Sequence, residues 1–249
     1  MRQNLPNHVR RTMKKIREIQ ASTAIIFFVL ISLALTPAYA VSQSSTPSLR
    51  SSSANYAVST SVSCKLEHVH AGDELFATVQ SSGVAQTTMT AKDNFRGSFA
   101  YYTNWSFGTG MGAAYAKASS SGTVKLKITV GNAGAGLSLF CYDISGVQNS
   151  LQASGGLSLG GGTALSASPL TLSPNSFVVA LWSSYYSPTA SITGTGFQFT
   201  NHIVAILGED GNYISAEYAP LVSGTTTCPM TTTTSQGWGG LCFAFPRSS

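Results

Sequence analysis

Residues 123–130, TVKLKITV, decide the class of the fold. Their four aliphatic side chains alternate with Thr and Lys, so apolar residues recur at every second position. This period of two is that of a β-strand with one buried and one solvated face. The same alternation runs through residues 54–66 and predicts a second long strand there.

Further strands are predicted along the rest of the chain, and Gly, Asn, Asp and Pro mark the breaks between them. Beyond the N-terminal segment we find no helical period. Many short strands separated by turn signals favour an all-β fold, and we predict an antiparallel β-sandwich of jelly-roll-like topology. The further predicted strands cover residues 74–80, 98–105, 111–117, 137–144, 176–182, 198–204, 213–218, 225–232 and 241–246.

The chain repeats itself at an offset of 102 residues. The tripeptide SGT at residues 121–123 recurs at residues 223–225. At the same offset, the apolar positions Leu75, Ala77 and Val79 fall on Phe177, Val179 and Leu181. We therefore predict that residues 54–249 form one domain of two pseudo-repeated halves, 54–150 and 151–249, which share one core.

The first 40 residues have the order of a secretory signal. A basic stretch precedes the apolar run AIIFFVLISLAL at residues 24–35, and Pro37 and the small residues of AYA at 38–40 follow. This order predicts a signal helix that is cleaved after Ala40. The alternatives are a pilin-type signal and an uncleaved anchor, in which case this segment would be the contact with a membrane. Residues 41–53 are Ser-rich and predict a linker.

Charged residues make up only 9% of the chain, against roughly 25% in an ordinary soluble domain. This composition argues against coiled coils, charged disordered tails and nucleic-acid binders that depend on dense Lys and Arg. The net charge of +5 comes from the first 20 residues, because the remainder holds eight basic and eight acidic residues. With so few titrating groups, we expect the melting temperature to change little between about pH 4 and about pH 8.

All four cysteines, Cys64, Cys141, Cys228 and Cys242, follow the predicted cleavage site. An even number in an exported chain predicts disulfides, and no cysteine cluster has the spacing of a zinc site. Three connectivities are possible. Cys228 and Cys242 lie symmetrically about Ser235, as partners across a hairpin would. We therefore prefer Cys64–Cys141 with Cys228–Cys242.

The order of these segments resembles a known group of proteins. AGDELFATVQSS at residues 71–82 is followed by the hairpin YAKASSSGTVKLKITV at 115–130 and by LSLFCYDISGV at 137–147, and SPNSFVVALWSS at 173–184 comes later. Over residues 60–246 this pattern is similar to a large group of poorly characterised exported β-sandwich modules of bacteria and archaea. The resemblance implies a lectin-like, jelly-roll sandwich on a surface or secreted protein, with no single activity and no catalytic residue.

Few residues of the predicted domain could carry catalysis or bind a metal. His68 and His70 share a strand face, but a metal site needs three or four converging ligands. EDGN at residues 209–212 fits a hairpin turn better than a calcium loop, and Glu217 lacks the second carboxylate of a glycosidase. GLSLG at 156–160 lacks the context of a serine-hydrolase elbow and predicts a flexible, Gly-rich connection. We predict no catalytic residue, no metal site and no cofactor.

Aromatic residues and a glycosylation sequon are candidates for contacts with sugars. Asn104 begins the sequon Asn-Trp-Ser, so in an exported protein it is a candidate for N-glycosylation. Trp105, Trp182 and Tyr185 could stack on sugar rings, although strand cores also need large apolar side chains.

The length of the first strand suggests a way to assemble. The predicted strand 54–66 is longer than most strands and follows a flexible linker. Residues 54–60 could be donated to a neighbouring subunit, with Tyr56 and Val58 filling its groove. The alternative is that this strand folds back on its own domain.

These features predict a secreted or cell-surface protein, without catalysis, that has a structural or adhesive role. Its weakly charged exterior, rich in Ser and Thr, suits other protein subunits, cell-envelope components or glycans as partners, with little steering by charge. Nucleic acid is not an expected partner. The alternative is a carbohydrate-binding module, and a glycan-acting hydrolase comes third.

Overall fold

The computed structural model describes residues 46–82, 86–106, 109–132, 136–154, 158–184, 201–206 and 213–249. The predicted signal segment lies outside these residues. None of the described residues is helical, so this part of the chain contains no helix that could cross a membrane.

The described part of the chain is built mainly from strands. In chain order they are β1 (Ser48–Val58), β2 (Ser61–Val69), β3 (Glu74–Ser82), β4 (Met89–Lys92), β5 (Ala100–Ser106), β6 (Thr109–Lys117), β7 (Gly122–Val130), β8 (Gly136–Ser145), β9 (Gln152–Ala153), β10 (Ser158–Leu165), β11 (Leu170–Ser184), β12 (Asn201–Ile206), β13 (Tyr213–Thr226) and β14 (Met230–Phe245).

Two large sheets and one small sheet contain these strands. The first large sheet has the order β1-β8-β3-β6-β5, and the small sheet has the order β2-β7-β4. The second large sheet has the order β10-β14-β11-β13-β12, with β9 also pairing with β14. Neighbouring strands are antiparallel throughout. The predicted antiparallel β-sandwich is confirmed, and its jelly-roll topology stays a prediction.

The sheets pack around three apolar cores. One outer core lies between the small sheet and the first large sheet, where Leu66 and Leu126 meet Leu75. The central core joins the two large sheets and is rich in aromatic rings such as Phe76 and Phe243, whose centroids are 5.5 Å apart. The other outer core covers the far face of the second large sheet. The two halves therefore share a core, as predicted, and each half also has a core of its own.

The central strands are buried on both faces, which explains their continuous apolar sequences. Every residue of β8 is buried. Its Leu139 and Cys141 face the outer core, and its Phe140 and Tyr142 face the central core. Sheets covered on both sides lose the alternation of polar and apolar residues that marks a half-exposed strand.

The two halves repeat one strand order, since β1, β8, β3, β6 and β5 correspond in place to β10, β14, β11, β13 and β12. Ala77 lies opposite Cys141 in the first half, and Ala180 lies opposite Cys242 in the second. Each pair faces an outer core, so Ala180 is the counterpart of Ala77 and Cys242 is the counterpart of Cys141. The first correspondence is one residue longer than the predicted offset of 102 residues, and the second is one residue shorter.

The constant offset is therefore wrong in the detail that matters for packing. Leu75, Ala77 and Val79 belong to an outer core, whereas their predicted counterparts Phe177, Val179 and Leu181 belong to the central core. A shift of one residue moves every side chain of a strand to the opposite face, so a small error in alignment exchanges the two cores.

The N-terminal part of the domain also differs from the sequence-based prediction. Residues 48–53 are not a linker, because they belong to β1, where Ser53 pairs with Cys141. The predicted strand 54–66 is interrupted at Ser59 and Thr60. The segments on either side of this break, β1 and β2, join different sheets.

The Gly-rich segment that was predicted to be flexible forms β10. Gly160 lies opposite Trp238 on β14, and a Cβ atom at Gly160 would lie 2.3 Å from the indole ring. Gly240 has the same relation to Trp182, with a Cβ atom 2.0 Å from its ring. Glycine is therefore required in these strands because each backbone is covered directly by an indole.

Candidate functional site on the small sheet

The outward face of the small sheet carries four lysines, Lys65 on β2, Lys125 and Lys127 on β7, and Lys92 on β4. All four side chains are exposed, because their apolar neighbours on each strand point into the outer core. The register places Lys65 directly opposite Lys125, and Lys92 directly opposite Lys127. We call these four residues the lysine face.

Two shallow hollows cross the lysine face. One has a volume of about 400 Å³ and is lined by Ser61, Ser63, Lys92, Asp93, Asn94, Lys125 and Lys127. The other, of about 430 Å³, is lined by Ser53, Ala54, Asn55, Ser63, Cys64, Lys65 and Lys125. Since Ser63 and Lys125 line both, the hollows adjoin each other and form one depression across β1, β2, β7 and the end of β4. We call it the lysine groove.

Hydrogen bonds hold the walls of the lysine groove in place. On the β1 side, the Asn55 side-chain amide donates to the Ser63 carbonyl at 2.7 Å. On the β4 side, the side chain of Asn94 takes the place of a strand residue after β4 ends. Its Nδ2 donates to the Thr123 carbonyl at 3.1 Å, and its Oδ1 accepts the Lys125 backbone N–H at 2.8 Å. The groove is therefore preformed by the fold.

Carboxylates offset only part of the positive charge. Glu67 forms an ion pair with Lys65, and hydrogen bonds from Lys65 and Thr123 lower the pKa of Glu67. The Asp93 carboxylate is turned toward its own loop, where one oxygen accepts the N–H groups of Phe95 and Gly97 at 3.0 and 2.7 Å. Within the described residues, none of the other three lysines forms an ion pair.

Tyr101 lies beside the lysine groove at the free edge of β4. Its hydroxyl accepts the Ala91 N–H at 3.0 Å and donates to the Ala91 carbonyl at 3.4 Å. The hydroxyl therefore occupies backbone groups that an edge strand would otherwise leave open to another chain. The residue remains 45% exposed.

The disulfide pairing predicted from the sequence is confirmed. Cys64 is bonded to Cys141 and ties the small sheet to the first large sheet beneath the lysine groove. Cys228 is bonded to Cys242 and ties the chain before β14 to the second large sheet. The predicted hairpin about Ser235 is wrong, because Met230–Phe245 is one strand with an irregularity in its pairing with β10.

Of the three aromatic residues proposed to stack on sugars, one is excluded and two are undecided. Trp182 is only 1% exposed and packs edge-on against Trp238 in an outer core, so a sugar in solvent cannot reach it. Tyr185 lies outside the described residues. The side chains of Trp105 and of the sequon residue Asn104 also lie outside them, so N-glycosylation stays a prediction.

The strand proposed for donation to a neighbour is used within its own chain. Residues 54–58 pair with β8, from Ala54 opposite Phe140 to Val58 opposite Gly136. Tyr56 packs against the central core, and Val58 is 66% exposed at the end of β1. The backbone of β1 is therefore engaged by β8 along one edge, and donation of this strand to a neighbour stays a prediction.

Two buried carboxyl groups, those of Glu74 and Asp143, lie on the neighbouring strands β3 and β8 of the first large sheet. Burial raises the pKa of Glu74 to about 7, while Lys117, whose ammonium lies 3.4 Å from Oε2, lowers it. Burial also raises the pKa of Asp143 to about 7, with a further rise from Asp73 and an opposing effect of Arg50. A raised pKa at both groups predicts that stability falls as the pH rises through about 7, in contrast to the flat profile expected from the composition.

The remaining candidates for chemistry do not come together. His68 and His70 are exposed at the end of β2, and the described residues include no group of three His, Cys, Asp or Glu that could hold a metal ion. Ser158 begins β10, and its hydroxyl accepts the Ser168 N–H at 2.8 Å, which is a turn contact. Residues 209–212 and the side chain of Glu217 lie outside the described part of the chain.

Comparison with protein-family models, with curated proteins and with solved structures finds no match to this chain. The resemblance drawn from the order of its strands stays a prediction. The lysine groove is the feature that the sequence did not reveal: the Lys residues of TVKLKITV indicated only the polar side of a strand. The pairing of β7 with β2 and β4 brings Lys125 and Lys127 together with Lys65 and Lys92.

Proposed function

We propose that the protein is exported and acts outside the cytoplasm as a non-catalytic surface protein with an adhesive role. The observation that carries this proposal is that all four cysteines are paired. Disulfides persist in oxidising compartments and are rare in the cytosol, where thiols are kept reduced.

The positions of the disulfides also suit a protein that must stay folded outside the cell. Each bridge joins a large sheet to the structure that covers its outer core. A cross-link of this kind reduces the freedom of the unfolded chain and stabilises the folded one, typically by about 2–4 kcal/mol. A rigid, preformed surface then favours attachment, because little order is lost on binding.

The second candidate function is that of a carbohydrate-binding module. The lysine groove favours it, because it combines cations with the hydroxyl groups of Ser61 and Ser63 along an open depression. Sugars are bound by such convergent polar groups, which replace water around their hydroxyls.

Labelling of intact native cells tests the proposed location. A membrane-impermeant amine reagent should label the protein without lysis, and a cytosolic marker protein should remain unlabelled as the control. Alkylation of the denatured, unreduced protein should detect no free thiol. Labelling only after lysis, together with four alkylatable cysteines, would refute the proposal.

A further inference from the structure

We infer that the lysine groove binds a chain of acidic sugars, that is, a polysaccharide with repeated carboxylate or sulfate groups. The inference rests on the proposed adhesive role, since it names the class of ligand through which the protein would attach. It places Lys65, Lys92, Lys125 and Lys127 in contact with the anionic groups of the polymer.

The arrangement of charge indicates an external partner. Like charges directly opposite each other in a sheet are destabilising, and the lysine face contains two such pairs, Lys65 with Lys125 and Lys92 with Lys127. Four of the eight basic residues that follow the predicted signal lie on this one face. Glu67 compensates Lys65 only, and the other three lysines form no ion pair within the described residues. Surfaces that give up stability in this way are typical of functional sites.

The spacing of the lysines fits a polymer with widely separated charges. Neighbouring strands lie about 4.8 Å apart, and positions two apart on one strand are separated by about 6.7 Å. The backbone positions that carry the four lysines are therefore about 5–7 Å apart. A polymer with one acidic group per sugar unit spaces its charges on this scale.

The other groups of the groove are those that bind sugars. No arginine lines either hollow, although Arg is the side chain whose planar fork suits phosphate. Ser61 and Ser63 can exchange hydrogen bonds with sugar hydroxyls. Tyr101, which lines neither hollow, is partly exposed at the edge of β4 and offers an apolar surface there for the CH groups of a sugar ring.

Binding of defined polymers to the full oxidised chain tests the inference. Titration calorimetry at low salt should be run with polygalacturonate, dextran sulfate, neutral dextran and duplex DNA. The double variant Lys125→Gln/Lys127→Gln removes two charges, and Lys125→Arg/Lys127→Arg keeps both, so the second is the matched control. The basic N-terminal stretch is the same in all three proteins and cancels in the comparison.

The charge-removing variant should bind the acidic polysaccharide two- to thirtyfold or so more weakly than wild type, the range for two exposed ion pairs. The Arg control should bind like wild type, and added salt should weaken binding. Stronger binding of polygalacturonate or of dextran sulfate identifies carboxylate or sulfate as the preferred group. Melting of the Gln variant at or above the wild-type temperature shows that the effect is not misfolding.

Three results would overturn the inference: equal binding by wild type and the Gln variant, equal binding of neutral dextran, or binding of DNA as tight as that of the acidic polysaccharides. The last result would assign the groove to nucleic acid. Each leaves the surface location to be judged separately by labelling of intact cells. Conversely, a reduced cytosolic protein that still bound polygalacturonate through its lysines would refute the proposed function alone.

Discussion

Replacing Glu74 by Gln should make the stability of the protein less sensitive to pH. Glu74 is fully buried at the start of β3, and burial raises its pKa to about 7. In the unfolded chain the pKa of this carboxyl returns to the ordinary 4.5. The native state therefore holds a proton that the unfolded state has already lost. This contribution to stability is complete below about pH 4.5 and is lost as the pH rises through about 7.

The magnitude follows from the two pKa values. One unit of pKa corresponds to about 1.36 kcal/mol, and integration from pH 5 to pH 8 gives a loss of about 2–3 kcal/mol in the free energy of unfolding for Glu74. Asp143, whose pKa rises from 3.8 to about 7, contributes a similar loss. Wild type should therefore lose about 5 kcal/mol over this range, and Glu74→Gln about half as much.

Urea unfolding at pH 5, 6, 7 and 8, with the disulfides intact and Trp fluorescence as the signal, measures these differences. Glu67→Gln is the matched control, because Glu67 is exposed on β2 and its pKa is lowered rather than raised. The control should keep the full wild-type loss between pH 5 and pH 8. If Glu74→Gln lost as much stability as wild type, the buried carboxyl would not be the source of the pH dependence.

Three further predictions concern cross-links, packing and the edge of the small sheet. Replacing Cys64–Cys141 by alanines should cost about 4.5 kcal/mol in urea unfolding, and replacing Cys228–Cys242 about 3 kcal/mol, because the bridges span separations of 77 and 14 residues. Equal losses would contradict an origin in loop entropy. Gly240→Ala should cost about 1–3 kcal/mol in the same assay, since its Cβ would lie 2.0 Å from the ring of Trp182; unchanged stability would mean that the indole moves freely. Tyr101→Phe should cost about 1 kcal/mol, because β4 loses the hydroxyl that caps its edge, and a neutral effect would mean that water serves equally well.

The sequence located the small-sheet strand β7 and the half-exposed part of β2 well, because each has one face in water. Polar and apolar residues then alternate along the strand with a period of two. It failed for β10, where residues such as Gly160 carry no side chain to show a period. Glycine is needed there because the indole of Trp238, which is far away in the sequence but on the adjacent strand β14, covers the backbone.

The disulfide pairing was predicted correctly from cysteine positions, yet the geometry expected for one bridge was wrong. Cys228 precedes β14 and lies with Cys242 of β14 in the outer core of the second half, whereas the sequence suggested a hairpin. The repeat was likewise visible in the sequence, but its alignment was one residue out in β3 and in β8. Only the pairing of Ala77 with Cys141 and of Ala180 with Cys242 shows which face each strand presents to which core.

The sequence by itself determined the properties that depend on neighbours along the chain: the strand class, the breaks between many strands and the number of cysteines available for cross-links. The tertiary structure decided the properties that depend on partners far away in the sequence. Lys125 joins Lys65 and Lys92 in a groove because β7 pairs with both β2 and β4, and the pKa of Glu74 is raised because the fold buries its carboxyl group. Charge density and desolvation are set by the distances between strands, and a linear order of residues does not contain those distances.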